Sequence, residues 1–161
     1  MSYNIHMTQF FTQNSEIIIR LAVAVGLGML IGVERLLVHK EAGMKTHALV
    51  SMGAALFIII SEFLVIKYSN LGGFNPAMIA ANIIVGVGFL GAGSIIHNGN
   101  RLSGLTTAAG FWVTAGIGMA CGFGLFTLAI ISTALVLIIF IVLNVIERPI
   151  RRISDNNIDS D

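Results

Sequence analysis

The chain has 161 residues, 56% of them hydrophobic and 11% charged, with a formal net charge of +1. So apolar a balance, with charges gathered in short patches between long uncharged runs, excludes an ordinary soluble domain or a basic nucleic-acid binder and marks a membrane protein. The single cysteine, Cys121, excludes an intrachain disulfide and a thiolate metal site built within one chain.

Residues 1–16 hold no Lys or Arg and no small-residue cleavage site, so they read as a retained extracytoplasmic segment and not as a removable signal peptide. Thr8 to Glu16, with Phe10 and Phe11, is expected to lie along the interface or to be disordered. Residues 17–145 carry five candidate spans: Ile17 to Val33, Thr46 to Ile66, Ala77 to Ile96, Thr106 to Cys121 and Leu125 to Val145. Each approaches the ~20 residues that a ~30 Å hydrocarbon core requires. Residues 146–161 form a short polar tail. The expected fold is all-α, a polytopic membrane helix bundle of about five transmembrane helices.

Orientation follows from Lys and Arg, which collect on the cytoplasmic side. Arg35, Lys40, Lys45, Arg101, Arg148, Arg151 and Arg152 fall on one side and Lys67 on the other, with Arg20 near the outer end of span one. The amino terminus is therefore expected outside and the carboxyl terminus in the cytoplasm. Arg20 is expected to snorkel to headgroups beside Glu16, and Glu62 to snorkel outward.

Asn82 to Ile96 reads NIIVGVGFLGAGSII, and Gly86, Gly88 and Gly91 satisfy G-x-G-x-x-G. That spacing cradles a dinucleotide only where it joins a strand to a helix, whereas here it lies inside an apolar run. Gly86, Gly88, Gly91 and Gly93, with Gly28 and Gly32 on span one and Gly118 and Gly122 on or after span four, are expected to let helices pack closely. Similar stripes can form a dimer seam, so a homo-oligomer, with a dimer favoured, is a second expectation.

The polar residues gather towards the cytoplasmic face. Glu34, Arg35, Lys45, Thr46, Arg101, Thr106 and Thr107 are expected to line a pocket for an ion, an anionic headgroup or a partner segment, although interfacial anchoring is the simpler account of the lysines. Glu34 and Arg35 are adjacent on a helix and are expected to seek partners elsewhere. Asn82 falls about a turn and a half into span three, where its amide is expected to face protein or a wet cavity. Trp112 reads as an interfacial belt residue or a pocket wall. His6, His39, His47 and His97 are scattered and suggest no metal site, and no nucleophile–base pairing is evident, so neither a cofactor nor an enzymatic activity is expected.

Four motifs, GMLIGVER from Gly28, GMKTHALV from Gly43, AANIIVGVGFLGAGSII from Ala80 and GLTTAAGFWVTAGIGMACGFG from Gly104, together resemble the MgtC/SapB family. The resemblance implies a bacterial inner-membrane, multi-pass protein of about five spans. It also implies roles in growth at low magnesium, in virulence inside macrophages and, for some members, in restraint of the ATP synthase. Glu34, Arg35, Gly43, Lys45, Thr46, Asn82, Gly104, Thr106, Thr107, Trp112 and Cys121 match characteristic family positions. Met78 stands where the family usually has Arg, Asn82 where it has Gln, and Lys45 where Arg is common. The chain ends soon after span five, where virulence-type members continue into an ACT-like domain. The leading expectation is a non-enzymatic protein supporting magnesium or ion homeostasis through membrane partners and lipid. An oligomeric transporter or channel passing a cation or small solute along Glu34, Asn82 and Thr106 is the alternative.

Overall fold

The computed structural model describes residues 2–68, 75–99 and 101–158, with side chains between 14 and 147 apart from 69–74, 76, 98, 100 and 101. Five helices run in the order α1 (Ser2–Leu37), α2 (Met44–Tyr68), α3 (Pro76–Gly93), α4 (Leu105–Gly122) and α5 (Phe126–Ile158). A two-stranded hairpin, β1 (Ile96–Asn98) and β2 (Arg101–Ser103), sits between α3 and α4. Among the described residues, four segments are long and apolar enough to cross a membrane: Asn14–Leu37, Met44–Tyr68, Leu105–Gly122 and Phe126–Glu147.

The helix of the expected third span stops earlier than the hydropathy suggested. Asn75 caps its start by accepting a hydrogen bond from the Ala77 amide at 2.9 Å, with Pro76 in the first turn, where its missing N–H costs nothing. At the other end the Ser94 hydroxyl turns back onto the Gly91 carbonyl at 2.7 Å. Ile95 and Ile96 are apolar but leave the helix, and Ile96 pairs with Ser103 in the antiparallel hairpin. At ~1.5 Å per residue α3 is about 27 Å long, slightly less than the ~30 Å core. The hairpin replaces an expected loop: β1 gives way to β2 through Gly99 at φ 60°, and Gly104 at φ 91° then passes so close to the Ser94 carbonyl that it admits no side chain.

Two helices exceed their expected limits. α1 is continuous from Ser2 into the membrane segment, and α5 continues to Ile158. The side chains of Phe10, Phe11, Arg101, Arg148, Arg151 and Arg152 lie outside the described residues.

The core is built from small and β-branched side chains around α4, which packs against all four other helices. Ala24 and Ile31 of α1, Ala55 of α2, Ile117, Ala120 and Cys121 of α4, and Ala129 and Val136 of α5 form one cluster. In a bilayer, lipid tails are as apolar as these side chains, so close van der Waals fit must hold the helices together. A Cβ placed on Gly28 would meet the His47 carbonyl at 2.6 Å, and one on Gly122 would meet the Ile58 Cβ at 2.7 Å. Gly32 against Met44 and Gly118 against Ser51 are as tightly closed. Gly91 makes ordinary contact with Ala108, 3.5 Å from its Cβ position, whereas Gly86, Gly88 and Gly93 face open space. These last three do not pack helices within one chain, a correction to the expectation, because the glycine-bearing faces of α3 point outside the bundle.

Candidate functional site

The close approach of the Gly43–Met44 backbone to Gly32 brings the start of α2 against the end of α1. This contact puts His47 of α2 near Glu34 and Arg35 of α1, and all three are buried: Glu34 is 7% exposed, Arg35 3% and His47 0%. Arg35 Nε donates to Glu34 Oε2 at 2.5 Å. Its guanidinium carbon lies 3.6 Å from the centroid of the Phe140 ring on α5, a cation–π contact in a water-poor setting. His47 Nδ1 is 3.0 Å from Thr114 Oγ1 on α4, and the imidazole lies 5.2 Å from the Phe111 ring. Gly110 makes room for both aromatic partners, since a Cβ there would be 3.4 Å from His47 Cε1 and 3.4 Å from Phe140 Cζ.

The adjacent pair corrects the expectation that Glu34 and Arg35 would part. Neighbours on a helix do diverge at Cβ, but the long Arg35 side chain lets its inner nitrogen, Nε, fold back while Phe140 holds the plane of the guanidinium. Glu34 Oε1 and His47 Nε2 remain without a hydrogen bond.

A second polar cluster lies towards the opposite end of the bundle. Arg20 Nη1 donates to Glu62 Oε2 at 2.6 Å and to the Gly122 carbonyl at 2.7 Å, and Nη2 donates to Glu16 Oε1 at 2.5 Å. One arginine thus joins α1 to α2 and caps the negative end of α4. Arg20 and Glu62 had been expected to snorkel separately. Instead they pair with each other across helices, with Arg20 largely buried and Glu62 partly exposed.

The remaining predicted polar residues do not complete one inner pocket. Lys45 and Thr46 are exposed on the first turn of α2 and share an open groove with Asn82 of α3. Asn82 is exposed on the wall of that groove and not enclosed by protein. Thr106 is exposed and Thr107 half-buried at the start of α4, while Arg101 belongs to β2. Trp112 is 56% exposed, beside a smaller cavity bordered by Ile84 and Ser132. The expected constellation divides because Glu34 and Arg35 turn into the bundle, whereas Lys45, Thr46 and Asn82 open onto the α2–α3 groove.

His47 and Thr114 are the residues that sequence reasoning missed. Their signal was present on α2, where His47, Ser51, Ala54, Ala55 and Ile58 recur at helical spacing and are all buried. Among the described residues, no three His, Cys, Asp or Glu side chains gather where a metal ion would be held.

A sequence model described as the MgtC family matches residues 21–149. "Putative magnesium transporter YhiD" of Escherichia coli K12 is 43% identical over 127 residues, which cover 78% of this chain and 59% of that protein. Protein MgtC of Salmonella typhimurium LT2 is 44% identical over 120 residues, 74% of this chain and 49% of that protein. Protein MgtC of Brucella abortus is 41% identical over 130 residues, 81% of this chain and 50% of that protein. The chain spans about half the length of these curated relatives. No solved structure matches. With its apolar helices and a family match through all five of them, the chain is a multi-pass inner-membrane protein and belongs to the MgtC family.

Proposed function

We propose that this protein supports magnesium homeostasis from within the membrane, without enzymatic chemistry and without conducting the ion itself, by engaging membrane partners. Family membership and the magnesium transporter name of the YhiD relative support the link to magnesium. The observation that carries the non-conducting part is the pairing of the two carboxylates near the ends of α1 and α2. Glu34 is held by Arg35 at 2.5 Å and Glu62 by Arg20 at 2.6 Å. A divalent cation at either carboxylate would sit beside the guanidinium that already neutralises it, and that charge repels it.

The same charge census supports an orientation with the Glu34 end in the cytoplasm and the Arg20 end outside. Glu34, Asn82 and Thr106 occupy a buried pair, an open groove and an exposed helix start respectively, so they do not favour a common solute path. The exposed α3 surface, including Phe89 and Val85, is the face proposed for partners or a second copy.

The test is growth at limiting magnesium of a strain deleted for this gene, combined with crosslinking from α3 in native membranes. Restoration of growth by the intact chain, with a protein crosslink at Phe89, is the expected result. Restored growth without any protein crosslink from α3 contradicts the partner-binding reading. Growth unaffected by the deletion contradicts the magnesium link.

A further inference from the structure

The groove between α2 and α3 has a volume of about 650 Å3, within the roughly 300–1,000 Å3 typical of small-ligand sites. Leu49 and Phe57 of α2 and Ile83 and Leu90 of α3 form its walls. Its depth comes from Gly53 and Gly86, which both line it and where an added Cβ would meet nothing within 4 Å. The glycine that failed to pack a helix therefore makes a space. Lys45 and Thr46 stand exposed at one end of the groove, and Asn82 lies towards the other.

Length and charge identify the occupant. Lys45 to Phe57 extends about 18 Å along α2 at ~1.5 Å per residue, close to the ~15 Å depth of one leaflet's hydrocarbon. Any lipid-facing furrow is wetted by acyl chains, but a retained lipid also needs its headgroup fixed. Here an ammonium group and a hydroxyl stand where that headgroup would lie, while the walls beyond them are apolar.

We propose that the α2–α3 groove holds one anionic phospholipid of the leaflet at the Lys45 end, with its phosphate on Lys45 and Thr46 and one acyl chain laid over Gly53 and Gly86. The seat is independent of the magnesium reading. Asn82 lies with Phe57 and Ile83 at the end of the groove away from Lys45.

Photocrosslinking tests this with phosphatidylglycerol carrying a diazirine on its acyl chain, in nanodiscs otherwise made of phosphatidylcholine. Peptide mapping of the intact chain should place label on Phe57, Ile83 and Leu90 above the level on the lipid-facing surface of α5. Gly86→Leu, whose Cβ would meet nothing within 4 Å and whose side chain would occupy the groove, should reduce groove labelling to that background. Gly88→Leu, also in open space but outside the groove, should leave it unchanged. Lys45→Gln should lower it about fivefold, the effect of losing one interfacial cation. Groove labelling equal to that of α5, persistence of the signal in Gly86→Leu, or occupation of the groove by a second copy would overturn the proposal.

Discussion

Arg35 of α1 stacks on Phe140 of α5, with its guanidinium carbon 3.6 Å from the ring centroid, while its Nε holds Glu34. The first and last helices are thereby joined through one buried cation. Burying an ion pair costs desolvation that the attraction offsets only if both partners remain.

Removing one partner should therefore cost more than removing both. Arg35→Met is expected to destabilise the protein by roughly 3 kcal/mol, by leaving the Glu34 carboxylate unpaired, whereas Glu34→Leu combined with Arg35→Met should cost clearly less. Unfolding in mixed detergent micelles, followed by circular dichroism, checks this double-mutant cycle. Additive losses would show that the two side chains act independently.

Neighbouring glycines on α4 should respond with opposite sign. Gly118→Ala forces a methyl group onto the Ser51 backbone and is expected to destabilise by about 1–3 kcal/mol. Gly116 has nothing within 4 Å of its Cβ position, so Gly116→Ala should be neutral or stabilise by up to about 1 kcal/mol through helix propensity. The same unfolding assay compares them, and equal effects would contradict the packing of α4 against α2.

The single tryptophan reports on the lipid-facing surface. Trp112 is 56% exposed on α4, so its fluorescence should be strongly quenched by brominated lipids in reconstituted bilayers. Quenching no greater than that from aqueous iodide would mean that protein or water, and not lipid, covers this face.

Much of the architecture is legible in the sequence because hydrocarbon thickness imposes span length and helices satisfy their own backbone hydrogen bonds. The early end of α3 is not, since Ile95 and Ile96 are as apolar as the helix they leave, and the close approach of Gly104 to Ser94 is a three-dimensional constraint. Glu34 and Arg35 were legible as inner-face polar residues. Their mutual bond was not, because it depends on Phe140 arriving from a helix a hundred residues later. Arg20 with Glu62, and His47 with Thr114, were hidden for the same reason: contacts between helices leave no spacing pattern in one chain.

Magnesium uptake by proteoliposomes, read with an entrapped magnesium-sensitive dye, tests most directly the claim that the arginine-held carboxylates do not carry the ion. The account predicts uptake equal to that of protein-free liposomes for the intact chain, Glu34→Gln and Glu62→Gln alike. Protein-dependent uptake that Glu34→Gln abolishes would contradict it.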